Sequence, residues 1–221
     1  MTGPRGAALI MAKAPRPGRV KTRLHPLLGP AGSARLQAEL IRHTTALTLA
    51  QGLDTFVAFD PPDARADLDL LISDGVRLLP QRGADLGERM AAAAGDVLSG
   101  HAGPLLVIGT DAPTLTPGLL DRAVAALREP ADVVLGPALD GGYYLIGLHR
   151  PQPGLFALDP GLWGGDRVLA ATLAAADAAD LTVRLLPRVR DLDTPQDAAA
   201  LLADPLLPEP IARLLTPMEA A

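Results

Sequence analysis

The chain has 221 residues, a formal net charge of -5, 48% hydrophobic and 3% aromatic residues, and no cysteine. This length suits one α/β domain with a continuous core, and the lack of cysteine excludes disulfides, thiolate-bound zinc and iron–sulfur clusters. The acidic balance and scarce aromatics argue against a general nucleic-acid binder, and no apolar run reaches the roughly 18 residues that span a bilayer.

Met1–Gly6 lacks the charged-then-apolar order of a signal peptide, so a cytoplasmic location is expected. Ala7–Ala12 is an apolar run that predicts a buried strand. It runs into Lys13-Ala14-Pro15-Arg16-Pro17-Gly18-Arg19-Val20-Lys21-Thr22-Arg23-Leu24. Pro15 and Pro17 lack N–H donors and restrict their predecessors, so this stretch is a loop. Gly32–Gln51 carries apolar residues at helical spacing. Asp54–Asp60 and Val76–Pro80 read as strands and Leu86–Leu98 as a helix. Leu105–Gly109 is apolar on both faces, the mark of a central parallel strand. A helix begins near Thr116-Pro117, with Thr as cap and Pro at the first helical position. Two strands, Asp132–Gly136 and Tyr143–Leu148, precede a helix from Arg167 to about Ala178 and a late strand at Thr182–Pro187. The tail from Pro195 reads as two short helices broken by prolines. No repeat or linker divides the chain, so 1–221 is one unit with a core of about 7–203. Its alternation predicts a mostly parallel central sheet with helices on both faces.

Four segments carry candidate chemistry. Lys13, Arg19, Lys21 and Arg23 concentrate positive charge against the overall sign. A solvated basic loop is one reading, but a position just after the first strand favours an anion site, because α/β sheets bind ligands beyond their carboxyl edge. Asp111, in Gly109-Thr110-Asp111-Ala112-Pro113, follows the most buried strand and is either a ligand-facing carboxylate or a turn residue. Asp191-Leu192-Asp193-Thr194-Pro195 offers two more carboxylates, with Asp193 or Thr194 also suited to cap a helix. Asp140-Gly141-Gly142 precedes a strand and reads as a hairpin entry or as a close approach of backbone to ligand. In Gln81–Met90, Asp85 suits a helix cap, and the loop could enclose a nucleobase. Acids and cations at one edge suggest a divalent ion, Mg2+ or Mn2+, bridging protein and polyphosphate, since such ions use few carboxylates plus phosphate oxygens. The P-loop, the GxGxxG turn and the GxSxG elbow are absent.

In this order, Lys13–Leu24, Leu86-Gly87-Glu88-Arg89-Met90, Gly109–Pro113, Asp140-Gly141-Gly142-Tyr143-Tyr144 and Asp191–Pro195 resemble the bacterial DUF2064 proteins. These are a branch of the GT-A nucleotide-diphospho-sugar transferase superfamily, which also holds molybdenum-cofactor and phospholactate nucleotidyltransferases. The resemblance implies a GT-A fold with a nucleotide phosphate chain over Lys13, Arg19, Lys21 and Arg23, and with Gly87 and Arg89 also on the nucleotide. It implies a metal on Asp111 and Asp193, with Asp191 as the alternative to Asp193, and catalytic roles for Lys21, Asp111 and Asp140. Relatives carry a hydroxyl residue soon after the tryptophan, whereas this chain has Trp163-Gly164-Gly165-Asp166. The leading expectation is a glycosyltransferase acting on a nucleotide-sugar donor and a small-molecule acceptor. A nucleotidyltransferase joining a nucleoside triphosphate to a phosphorylated molecule is the alternative, and a non-catalytic nucleotide-binding protein the third reading. Cation density favours the triphosphate; the family label favours the sugar donor.

Overall fold

The structure, a computed structural model, describes residues 6–216, so the reading of Met1–Arg5 lies outside it. Among the described residues seven strands form one sheet: β1 (Ala7–Lys13), β2 (Asp54–Asp60), β3 (Val76–Pro80), β4 (Leu105–Gly109), β5 (Val133–Pro137), β6 (Tyr143–Leu148) and β7 (Val183–Leu185). Their spatial order is β3-β2-β1-β4-β6-β5-β7. Only β6 runs against its neighbours, pairing antiparallel with β4 and β5. The sheet is therefore mostly parallel, as the alternating pattern predicts. The helices are α1 (His25–Ala50), α2 (Arg65–Asp69), α3 (Leu86–Gly100), α4 (Pro117–Arg128), α5 (Val168–Ala178), α6 (Pro195–Leu202) and α7 (Glu209–Leu215).

The period of two along β1 assigns the layers. Ala7 and Leu9 pack with Met90, Ala93 and Val97 of α3 and Ala176 of α5. Ala8 joins Leu120, Ala123 and Leu127 of α4, while Ile10 meets Ile41 of α1 and Leu68 of α2. Both faces of the strand are thus dry, which explains an unbroken apolar run instead of polar alternation. A further cluster sets Leu24, Leu36 and Leu40 against Leu192, Leu201, Ile211 and Leu215. It pins the C-terminal helices to α1 and fixes Leu192 at the sheet's carboxyl edge.

Some boundaries differ from the sequence reading. The long helix starts before Gly32: a first turn at His25 is broken at Gly29 (φ 66°), and Pro30 opens the main run. β7 keeps only three residues of the expected Thr182–Pro187 strand, with one isolated bridge between Ala138 and Val189 beyond it. Arg167 holds the N-cap position of α5 and makes no side-chain capping bond. No helix among the described residues is long and apolar enough to cross a membrane.

Candidate active site

Parallel strands deliver their following loops to one edge, and here five of them enclose a cavity of about 590 Å³, a size suited to a small-molecule ligand. Its wall includes Lys13, Arg19, Lys21 and Arg23 from the loop after β1, and Arg89 from α3. Asp111, Asp140, Asp191 and Asp193 also face it. Gly87 is the one expected residue the fold does not bring there. It is buried, and an added Cβ would run into the Phe156 carbonyl and the Trp163 indole. Its lack of a side chain lets α3 lie against the segment that carries Trp163.

At the centre sits Lys21. Its backbone is left-handed (φ 47°), a conformation costing on the order of 1 kcal/mol for a residue with a Cβ. Its ammonium lies 2.7 Å from Asp111 Oδ1 and 3.1 Å from Asp193 Oδ1, and it donates to the Leu192 carbonyl at 2.7 Å. The side chain is only 5% exposed. Burial alone would pull its pKa down, but Asp111 and then Asp193 outweigh that and hold it raised. Leu192 also donates its N–H to the Asp111 carbonyl at 2.8 Å. One buried leucine therefore couples the loop after β4, the late acidic segment and the first loop.

The carboxylates fall into distinct settings. Asp111 accepts from the Thr110 hydroxyl at 3.1 Å, and Thr110 in turn receives Gln37 Nε2 at 3.3 Å. Asp111 does not cap α4, whose N-cap position belongs to Thr116. In the late segment Thr194 caps α6 through a reciprocal box with Asp197, leaving Asp191 and Asp193 outside the cap. Asp191 is mostly buried and its Oδ2 has no hydrogen-bond partner. Burial first, then Asp140, Asp111 and Asp193, pushes its pKa up to about 8, so the isolated site keeps a proton there near neutrality. Asp140 accepts from the Gly142 N–H at 2.8 Å, which makes it the turn residue of the β5–β6 hairpin while it also lines the cavity. Gly141 is left-handed (φ 93°) and leaves no room for a Cβ beneath the Asp166 backbone.

The remaining cations divide. Lys13, Arg19 and Arg23 are exposed, and none is paired with a carboxylate among the described residues. Arg89 is committed: it reaches Asp60 at 3.4 Å and donates to the Gly83 carbonyl at 3.3 Å. Asp85 accepts from the Glu88 N–H and caps α3. Sequence reasoning named Gln81 only as part of the Gln81–Met90 loop and missed its side chain, which is buried on the cavity wall with Nε2 donating to Ala58 O at 2.8 Å and Ala12 O at 3.4 Å. It also missed Gln37, which ties α1 to the Lys13 carbonyl at 3.2 Å. A polar residue at an apolar position of α1 was the only available signal for Gln37.

The donor set Asp111, Asp191 and Asp193 is all oxygen, and Asp191 Oδ2 has no hydrogen-bond partner to give up when a cation displaces its proton, which fits a hard divalent cation. No three acidic or histidine side chains among the described residues cage an ion by themselves. Such a cation would need ligand oxygens to complete its shell.

The chain is similar to several known proteins. Residues 43–160 match the model of the family described as "Uncharacterized protein conserved in bacteria (DUF2064)". A phosphoenolpyruvate guanylyltransferase of Thermomonospora curvata is 33% identical over 84% of this chain and 78% of its own. A second phosphoenolpyruvate guanylyltransferase, from Sphaerobacter thermophilus, is 30% identical over 80% of this chain and 84% of its own. Among solved structures, a protein of Desulfovibrio desulfuricans G20 described as a nucleotide-diphospho-sugar transferase superposes with a TM-score of 0.87 and 28% identity, over 95% of this chain and 93% of that one. The architecture is thus the one the motifs predict, a nucleotide-diphospho-sugar transferase fold.

Proposed function

The chain belongs to the DUF2064 family and is a transferase, and from that premise we propose that it is a metal-dependent nucleotidyltransferase. It would join a nucleoside triphosphate to a small phosphorylated acceptor and release pyrophosphate. The observation that carries this reading is the 33% identity to a phosphoenolpyruvate guanylyltransferase along 84% of the chain. Guanosine triphosphate and phosphoenolpyruvate are accordingly the first substrates to test. The expectation of a glycosyltransferase gives way to its alternative, although the solved relative described as a nucleotide-diphospho-sugar transferase keeps sugar transfer as the second reading.

The chemistry follows from the placement of charge. Lys13, Arg19 and Arg23, exposed and without a carboxylate partner among the described residues, suit the β- and γ-phosphates, whose charge they offset as pyrophosphate leaves. Mg2+ or Mn2+ held by Asp111 and Asp193, with Asp191 beside them, would supply neutralisation at the phosphate oxygens. An acceptor oxygen positioned near Asp140 and the Gly141-Gly142 turn attacks the α-phosphorus. The new P–O bond forms as the bond to the β-phosphate oxygen breaks, and the electron pair leaves with pyrophosphate. Gln81, with its amide nitrogen tied to two strand carbonyls, presents only its oxygen and so would accept a donor from the base. The chain's work is positioning and charge stabilisation, with no covalent enzyme intermediate.

The assay is product identification with guanosine triphosphate, phosphoenolpyruvate and Mg2+ or Mn2+, run beside nucleotide sugars. Pyrophosphate with a guanylylated acceptor is the expected outcome. Nucleoside diphosphate released only from a nucleotide sugar would replace this reading with glycosyl transfer.

A further inference from the structure

Lys21 is occupied where Lys13, Arg19 and Arg23 have no carboxylate partner among the described residues, and Arg16 of the same loop pairs with Asp63 and Asp67 away from the cavity. The Lys21 ammonium donates to Asp193 Oδ1 and to the Leu192 carbonyl and forms an ion pair with Asp111 Oδ1 at 2.7 Å. While it stays there its charge is spent on two carboxylates and not on a phosphate. Asp111 and Asp193, which it touches, are also the residues assigned above to a divalent cation. A metal arriving there meets the ammonium's charge at close range, and their repulsion in a partly dry site weakens its binding. Lys21 has a left-handed backbone and a buried side chain, while the adjoining Thr22 and Arg23 are exposed.

We propose that Lys21 is a resident counter-ion that closes Asp111 and Asp193 to divalent metal until a nucleotide arrives. The nucleotide-free protein then binds free metal poorly, and metal enters together with the triphosphate. The phosphate chain provides both the missing coordination oxygens and a new anionic partner for the ammonium, whose four-carbon stem reaches it by rotating about its own side-chain bonds. Before that exchange Lys21 keeps two like-charged carboxylates beside one another without a metal. Lys21 is in this sense a positioning residue whose departure licenses the site.

The inference rests on the reading of Asp111 and Asp193 as metal ligands, and the experiment separates the two. Mn2+ is titrated into nucleotide-free wild type, Lys21→Met, Lys21→Gln and Lys21→Arg, with free Mn2+ followed by electron paramagnetic resonance and melting temperatures recorded in parallel. Lys21→Met and Lys21→Gln are expected to bind Mn2+ at least tenfold more tightly than wild type and to be stabilised by it, whereas Lys21→Arg behaves as wild type. A merely structural lysine would not raise metal affinity when removed. Equal Mn2+ affinity in wild type and both neutral variants overturns the gate and leaves the metal ligands standing. No Mn2+ bound by any variant, with or without guanosine triphosphate, removes the metal reading and the gate together. If the neutral variants fail to fold, nitrogen-15 NMR of the wild-type Lys21 ammonium decides. Its signal should be unmoved by Mg2+ alone and shifted by Mg2+ with guanosine triphosphate; displacement by Mg2+ alone overturns the proposal.

Discussion

Lys21 and its loop neighbours Lys13, Arg19 and Arg23 carry the same charge, and the fold uses them in opposite ways. Lys21 is buried and held by Asp111, Asp193 and the Leu192 carbonyl. The other three stand exposed around the cavity and pair with no carboxylate among the described residues. A buried cation held by two carboxylates organises its surroundings, while an exposed and unpaired one is available to a ligand. Arg89 extends the comparison, because it lines the same cavity yet is held by Asp60 and Gly83. Its position marks it as a brace for the Gln81–Asp85 loop more than as a phosphate contact.

The sharpest way to break this contrast is through the carboxylates that hold Lys21. Asp111→Asn and Asp193→Asn are each expected to lower turnover by about 10³, the scale for losing charge stabilisation at a reacting phosphate. Melting temperatures should fall only a little, because both side chains are well exposed, at 46% and 36%. Steady-state kinetics with saturating Mg2+ and thermal melts check both halves. Turnover within tenfold of wild type in either variant would remove that carboxylate from the reaction.

How much of this was visible beforehand follows the same division. The strands, most helix starts and the convergence of the first loop with Asp111, Asp140, Asp191 and Asp193 at one edge were legible, because apolar periodicity sets the sheet and parallel strands send their loops to one side. The partners were not. Nothing local in Lys21 distinguishes it from Arg23; its fate is decided by Asp193 and Leu192, which lie 172 and 171 residues away in the chain. Leu192 itself looked like a spacer between two acids, whereas its burial with Leu36, Leu40 and Ile211 is what fixes their position. Gly87 was similarly opaque, since the close approach of Trp163 and Phe156 exists only once α3 is packed.

The exposed cations give the next test in size. Arg19→Ala and Arg23→Ala are each expected to weaken nucleoside triphosphate binding about tenfold at low salt, with the loss shrinking as ionic strength rises. Calorimetric titration at two salt concentrations measures it. Arg89→Ala should differ in kind: a loss of about threefold with little salt dependence, because the change loosens the loop anchored at Gly83. A steep salt dependence for Arg89→Ala, matching that of Arg23→Ala, would erase the distinction between brace and ligand contact.

The smallest expected effect concerns His43, a half-buried titratable group outside the cavity whose buried Nε2 has no hydrogen-bond partner. Burial lowers its pKa, with Glu39 and a hydrogen bond to the Pro113 carbonyl only partly offsetting that. The folded protein therefore keeps His43 neutral at pH values where the unfolded chain, with a histidine pKa near 6.5, already binds a proton. The sign follows: the stabilisation is complete above about pH 6.5 and is lost as pH falls from there through the depressed folded pKa. His43→Gln has no proton to take up, so its stability relative to wild type should rise on acidification, by less than about 1 kcal/mol by pH 5. Melting curves of the two proteins between pH 8 and pH 5 make the comparison, and the difference cancels groups common to both, including Asp191. Parallel curves across that range would mean that His43 is already solvated in the folded state. Divergence would show that this fold tolerates an unpartnered buried group only when it is neutral, whereas at Lys21 it surrounds the charge with partners.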